Sequence, residues 1–448
     1  MLQKGSQNQS PRFASTTRRR RGQRHPPQPT KSPTERSPSM STRGEMAPRR
    51  RSTSPPPASL PDDDDMLREI LLRLPPRPSS LPRASRVCKR WRRLVADPRF
   101  QRRFRDHHHG KPPLLGFFFE DYRSCPFVPV LDRPDRIPRD RFSMSRREDN
   151  RIVDCRHGLV LFLSGRPPRS PSVWDPVARK QRCLTLPPEL DNDRMYFFNR
   201  AVLRPARGQG RRSSQFQVAL VAYDDRGEAR ASAWVYSSET GIWSKSKSLQ
   251  LQSSVPMDQS STLIGNSLYW LHTYAPHVLQ DHRQYFVLEF DLNNQSLAMT
   301  ELPAHIEPGY HTLRIMPAED GGLGFIHLSL FNAQLWKREP DSDGSAVWVL
   351  DRAIEFGELG STCKGDSLTL VGFAEESNAI LVSTASGVFV VYLQSMEFKK
   401  LSNTVFFFPH YPYECCYAAG TGIVDVHGRD EVLKYMGDAR LLAHVSTL

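Results

Sequence analysis

Three groups of residues have types that could bind a metal, move a proton or attack a substrate. They are the histidines at 107–109, the aspartates at 62–65 and the adjacent Cys415 and Cys416. Spacing argues against chemistry in each. The histidines have no second ligand set at zinc spacing and read as a polar linker. The aspartates precede an apolar helical pattern, where acids complement the helix dipole and cap free N–H groups, so they read as a helix start and not as a magnesium site. Adjacent cysteines in a strand point to opposite faces and cannot chelate together. Cys88 falls in a helical stripe, while Cys125, Cys155, Cys183 and Cys363 are isolated. No G-x-x-x-x-G-K-[ST] loop or G-x-S-x-G elbow is present. Gly321, Gly322 and Gly324 cluster between strands, and Gly357, Gly360 and Gly365 read as loop glycines in the same way. Trp174, Trp234, Trp243, Trp270, Trp336 and Trp348 could line a sugar site, but at strand positions they read as core. We therefore expect no catalytic residue, no metal and no cofactor.

The elements around these residues divide by charge. The chain has 448 residues and a net charge of +14. Residues 1–59 hold 13 Lys and Arg against Glu35 and Glu45, a surplus of +11, and residues 60–110 contribute +6. The remaining 338 residues therefore sit at −3, so the basicity belongs to an arm and a short module. The arm, with ten prolines, ten serines and eight apolar residues, has too little apolar surface to offset chain entropy and is expected to be disordered. Its arginine clusters at 18–21 and 49–51 suit nuclear import or a polyanion. Seven cysteines without paired spacing fit a reducing compartment, nucleus or cytoplasm. No apolar run approaches the ~20 residues of a membrane helix, and no signal-peptide core is present.

Residues 60–105 read as a small helical module. Leu67, Ile70, Leu71 and Leu74 recur at i, i+3, i+4 and i+7, one apolar helical face. Pro75 and Pro76 stop that helix, and Ser79 or Ser80 can cap a short second one. Val87, Cys88, Trp91, Leu94 and Val95 form a third stripe, which Asp97-Pro98 ends. Three helices in about 40 residues make a poor independent core, so the module needs a partner surface.

The segment resembles an F-box of the plant type. The pattern is carried by Leu60-Pro61, the aspartates at 62–65, Leu74-Pro75-Pro76, Ser80-Leu81, Arg83, Val87-Cys88-Lys89-Arg90-Trp91-Arg92 and Asp97-Pro98-Arg99-Phe100. The resemblance implies docking on the Skp-family adaptor of a cullin–RING ubiquitin ligase. The residues it assigns to that contact are Leu60, Pro61, Leu67, Ile70, Leu71, Leu74, Pro75, Val87, Cys88, Trp91 and Leu94. Arg86 and Pro82 depart from the family's apolar choices without breaking the stripes.

Residues 106–448 read as strands. Short apolar runs at 158–163, 218–223, 268–271, 323–330 and 380–383 are each followed by an aromatic strand, a polar turn and a further strand. Trp174, Tyr236, Phe290, Trp348 and Tyr392 precede those turns at spacings of 62, 54, 58 and 44 residues. A period of about 40–60 is that of a β-propeller. Five blades are visible, and a sixth is expected from 114–130 joined to 405–424, closing the ring. The fold class is therefore mainly β: disordered arm at 1–59, three-helix F-box at 60–105, propeller of about six blades at 106–448.

This order resembles the grass-type F-box proteins with a kelch-like, F-box-associated propeller, which recruits the substrate. Since that family commonly begins just before the F-box, residues 1–45 are a candidate gene-model extension ahead of Met46. The implied function is a non-catalytic substrate receptor of an SCF-type ligase, partnered by the adaptor, through it by cullin, and by a protein target, with no membrane or nucleic-acid partner. Arg207–Arg212 is a candidate target contact. Two rival readings are a nuclear nucleic-acid binder using the arm, and a carbohydrate-binding propeller.

Overall fold

The computed structural model describes residues 63–417, apart from 109, 121–123, 143, 146–149, 165–169, 191–194, 205–214, 225–229, 251–253, 258, 275–284, 307–310, 330–331, 357–367 and 404–408. The arm at 1–59 and the cluster Arg207–Arg212 lie outside the described residues, as do Leu60, Pro61, Cys363, Gly357, Gly360 and Gly365.

The module folds as four helices, not three: α1 (Asp64–Leu72), α2 (Ser80–Ala84), α3 (Lys89–Ala96) and α4 (Pro98–His107). Asp63 caps α1 by accepting from the Asp65 backbone N–H at 2.8 Å. Asp97-Pro98 both ends α3 and starts α4. The Asp97 carboxylate accepts from Arg99 N–H at 2.9 Å, and Pro98 occupies the first turn, where its missing N–H costs nothing. Leu67, Leu71, Leu72, Leu81, Ala84, Leu94, Val95, Phe100 and Phe104 pack one core, with Leu74 and Trp91 at its margin. Phe100 and Phe104 on the fourth helix complete that core, which the three-helix reading left short. The His108 ring lies tilted against Phe104, and its Nε2 lies 2.8 Å from the Leu72 carbonyl, tying the end of α4 to the end of α1.

The rest is a six-bladed propeller. Blade 1 runs Asn150–Arg156, Leu159–Ser164, Pro171–Asp175, Lys180–Cys183 from centre to rim. Blade 2 is Met195–Leu203, Gln217–Asp224, Arg230–Ser237 and Trp243–Lys245, with Leu249–Gln250 also on its third strand. Blade 3 has an interrupted inner strand, Ser254–Pro256 and Thr262–Ile264, then Ser267–Tyr274, Tyr285–Asp291 and Ser296–Glu301. Blade 4 is Leu313–Pro317, Leu323–Ser329, Asn332–Pro340, Ala346–Glu355, and blade 5 is Thr369–Ala374, Ala379–Thr384, Gly387–Tyr392, Phe398–Ser402. Blade 6 joins the two ends of the domain: His410–Glu414 pairs antiparallel with Leu114–Phe119, which pairs with Phe127–Pro129.

Strand alternation explains the packing. In blade 1, Leu159, Leu161 and Leu163 enter the core against blade 2, while Val160 and Phe162 enter the core against blade 6. Such central strands are buried on both faces, so they read as continuous apolar runs rather than alternating ones. Each neighbouring pair of blades shares one such core, and the blade 6–blade 1 core of Phe118, Phe127, Phe142, Trp174 and Tyr413 closes the ring.

The aromatic period is corrected at one blade. Trp174, Tyr236, Phe290 and Tyr392 lie on third strands, but Trp348 lies on the outer strand of blade 4. It matches Trp243 on the outer strand of blade 2. Each indole N–H reaches back to the preceding blade, Trp243 to the Thr185 carbonyl and Trp348 to the Glu301 carbonyl, both at 2.8 Å. The third strand of blade 4, Asn332–Pro340, is charged and half-buried, which hid it from a hydrophobic pattern search. Trp174, Trp234 and Trp270 are core, as expected, whereas Trp243, Trp336 and Trp348 are half-buried.

Gly116 marks a tight point in the closing blade. A Cβ there would lie 2.3 Å from the Val128 carbonyl oxygen and 2.4 Å from the Phe127 ring. Gly116→Ala is expected to destabilise the propeller by about 1–3 kcal/mol, as overpacking does, read as a lower thermal midpoint.

Candidate functional site

The outward face of the helical module is the first candidate. Its sequence stripe splits in two. Leu67, Leu71 and Leu94, expected at the adaptor contact, lie inside the module, where they build the face from beneath. Ile70 is 42% exposed and Val87 56%. Pro75 and Cys88 are also exposed, with Leu74 and Trp91 half-buried. Val87 and Cys88 precede α3, Cys88 being its N-cap in extended conformation, so they are not part of a helical stripe. Sequence reasoning missed Met66, 54% exposed and one turn before Ile70. The signal available was the i, i+4 pair that Met66 forms with Ile70.

Charge surrounds these apolar residues. Arg90 donates to Asp64 at 2.7 Å and Arg93 approaches it at 3.8 Å, holding the start of α3 beside the start of α1. The Arg90 hydrogen bond keeps the Asp64 carboxyl below the usual carboxylate range. Arg68 pairs with Asp65 at 2.7 Å, and Arg103 pairs with Glu69.

The module is fastened to blade 6. The buried Asp135 carboxylate accepts from Ser79 N–H at 2.9 Å and faces Arg77 at 3.8 Å. The Cys416 thiol donates to the His108 carbonyl at 3.3 Å.

The second candidate lies where the inner strands converge. Arg156 of blade 1, 4% exposed at its side chain, makes a two-pronged contact with Glu375, just past the inner strand of blade 5, at 2.9 and 2.7 Å. It also donates to Asp154 at 3.0 Å and to the hydroxyl and carbonyl of Ser261 at 3.1 and 2.8 Å. Asp154 accepts in turn from Val202 N–H of blade 2 at 2.8 Å, and Glu375 from Leu263 N–H of blade 3 at 3.1 Å. One guanidinium thus ties four blades. Burial lifts the Asp154 carboxyl to about 6 against the pull of Arg156. Burial likewise lifts Glu414, which accepts from Ser377 and Glu376 N–H groups at 2.7 and 3.0 Å, to about 7.

Other reactive types are placed structurally. His272 is buried beside Asn199 and Tyr223, and burial holds its imidazole neutral, at about 3. Burial raises the Cys415 thiol to about 11 and Cys416 to about 12, so neither is a thiolate at neutral pH. Among the described residues, Cys88, Cys155, Cys183, Cys415 and Cys416 are thiols outside any disulfide. Among the described residues no three His, Cys, Asp or Glu are grouped to hold a metal ion, and no helix is long and apolar enough to cross a membrane.

An F-box domain profile matches residues 58–103, covering the four helices but for the end of α4. A second profile, described as F-box protein AT5G49610-like, beta-propeller, matches residues 151–403, more than half of the chain. The chain belongs to this family of F-box propeller proteins. F-box protein At5g03970 of Arabidopsis thaliana is 20% identical over 362 residues, covering 74% of this chain and 80% of the relative. Among solved structures, the periplasmic gluconolactonase PpgL of Pseudomonas aeruginosa matches with TM-score 0.34 and 10% identity over 65% of this chain and 82% of that one. The WD40 domain of SCAP from fission yeast matches with TM-score 0.31 and 12% identity over 59% of this chain and 53% of that one. The F-box and propeller together give this family member the general make-up of an SCF substrate receptor.

Proposed function

We propose that the protein is the substrate-receptor subunit of an SCF-type ubiquitin ligase, acting in the nucleus or cytoplasm without catalysis of its own. The F-box docks the Skp-family adaptor and through it cullin, and the propeller holds a protein target. The observation that carries this reading is an F-box with Met66, Ile70 and Val87 turned to solvent. Apolar side chains left exposed on so small a core are what a partner surface would cover. The contact to the adaptor is made by Ile70, Val87, Pro75 and Cys88 with Met66, while Leu74 and Trp91 edge it and Leu67, Leu71 and Leu94 hold its shape.

The propeller's contribution is geometric. Asp135 fastens Ser79 and Arg77 to blade 6, so a bound target is held at a set distance from the ligase rather than on a loose tether. Holding two sites on one body raises the effective concentration of target at the ubiquitin-charged enzyme.

Affinity capture of the full chain from cells whose cullin ligases are inactivated tests the whole reading. We expect the adaptor, cullin and a small set of stabilised proteins to be recovered. Recovery without adaptor or cullin would refute it.

A further inference from the structure

A pocket opens at the end of the propeller where the helical module attaches. Its walls include Asp154, Arg156, Glu375, Glu376, Tyr411 and Glu414. Glu414 is two residues from Cys416, whose thiol contacts the His108 carbonyl, so pocket and module share one end of the propeller. Four carboxylates therefore face one guanidinium. A second, Arg314, stands behind the wall, its Nη2 2.5 Å from the Ser260 hydroxyl. Counting both, negative charge remains in surplus.

The surplus is located on particular atoms. Arg156 is committed to Glu375 and to Asp154 Oδ2, and among the described residues Asp154 Oδ1 has no hydrogen-bond partner although Asp154 is 1% exposed. Glu414 takes two backbone N–H groups, and among the described residues neither it nor Glu376 forms an ion pair. Glu376 is exposed, at the mouth. The cavity itself is about 20 Å³, room for one water-sized group. An ammonium, a compact point charge, fits such a space. The buried rings of Tyr411 and Phe373 also line the pocket and supply apolar surface for an alkyl stem.

We propose that this pocket receives the ε-ammonium of a lysine side chain of the protein target, with Glu376 supplying charge at the mouth, Glu414 an accepting carboxyl within, and Tyr411 the wall for the stem. The proposal rests on the substrate-receptor reading and adds the chemical class of the group recognised.

The test uses the full chain purified with its Skp-family adaptor. The probe is a blocked Gly-Ser-Lys-Ser-Gly peptide, titrated by ligand-observed NMR beside the same peptide carrying acetyl-lysine. The lysine peptide is expected to saturate. Acetylation, which removes the charge, and Glu376→Gln should each weaken binding roughly tenfold, the scale of one lost charge-assisted hydrogen bond. Glu376→Lys, which brings an ammonium of its own to the mouth, should abolish binding, with an unchanged melting curve showing that the exposed substitution leaves the fold intact. Equal binding of the two peptides, no saturation by either, or Glu376 variants that bind like the wild type would overturn the proposal. Free n-butylammonium binding where the lysine peptide does not would assign the pocket to a small amine and also overturn it. Adaptor recovery in the same preparations separates the two claims: peptide failure with adaptor bound sinks the pocket alone.

Discussion

Replacing Ile70 and Val87 together with aspartate is expected to abolish co-purification with the Skp-family adaptor while the propeller melts as before. Both side chains are more than two-fifths exposed, so the folded chain loses little when they change. In the proposed complex they are covered, and two carboxylates would then be buried without partners, at a cost of several kcal/mol. That is enough to lower affinity by three orders of magnitude or more. Leu71→Ala is the necessary contrast. Leu71 has no exposed surface and packs among Leu67, Leu94, Phe100 and Phe104, so its truncation should destabilise the module by about 2–5 kcal/mol. Both variants would fail to bind, but only Leu71→Ala should lose helical signal and become protease-sensitive between residues 63 and 107. Retained adaptor binding by the double aspartate variant would remove the exposed face from the contact.

Arg156→Met is the second large effect, on the propeller itself. Its removal leaves Asp154 buried and Glu375 half-buried without their shared cation, and breaking a buried pair in this way costs about 3–5 kcal/mol. A loss of that size should appear as a lower midpoint in thermal and urea melts. The pH dependence carries a sign. The Asp154 carboxyl is raised in the fold to about 6 from the ordinary 3.8, so the folded chain holds a proton that the unfolded chain has released. Its contribution is full below the unfolded value and is lost as pH rises through about 6. Without Arg156 the folded value climbs further, because one of the forces lowering it is gone. The deficit of the variant against the wild type should therefore be smaller at pH 5 than at pH 8. An equal deficit at both would mean that Arg156 acts by packing alone.

Much of the fold was legible in order. The strand segments 159–163, 218–222, 268–272 and 379–384 are buried on both faces, and such strands are recognisable as apolar runs without tertiary information. Blade closure was legible too, since Leu114–Phe119 and His410–Glu414 fall in the two end segments that had to meet. The third strand of blade 4 was not, because Lys337, Arg338 and Glu339 on a half-buried strand give no hydrophobic period. The fourth helix was missed because Asp-Pro is read as a stop, when the same pair is a strong helix start.

By itself, the amino-acid sequence determined the F-box, the repeating strand units and the confinement of positive charge to an arm and a module. These depend on local spacing and composition, which survive without coordinates. The tertiary structure alone decided which members of the F-box stripe face outward, since burial depends on where α4 lays Phe100 and Phe104. It alone brought Asp154, Arg156, Glu375 and Glu414 into one pocket. Arg156 and Glu375 are 219 residues apart in the chain, and only closure of the ring makes them neighbours.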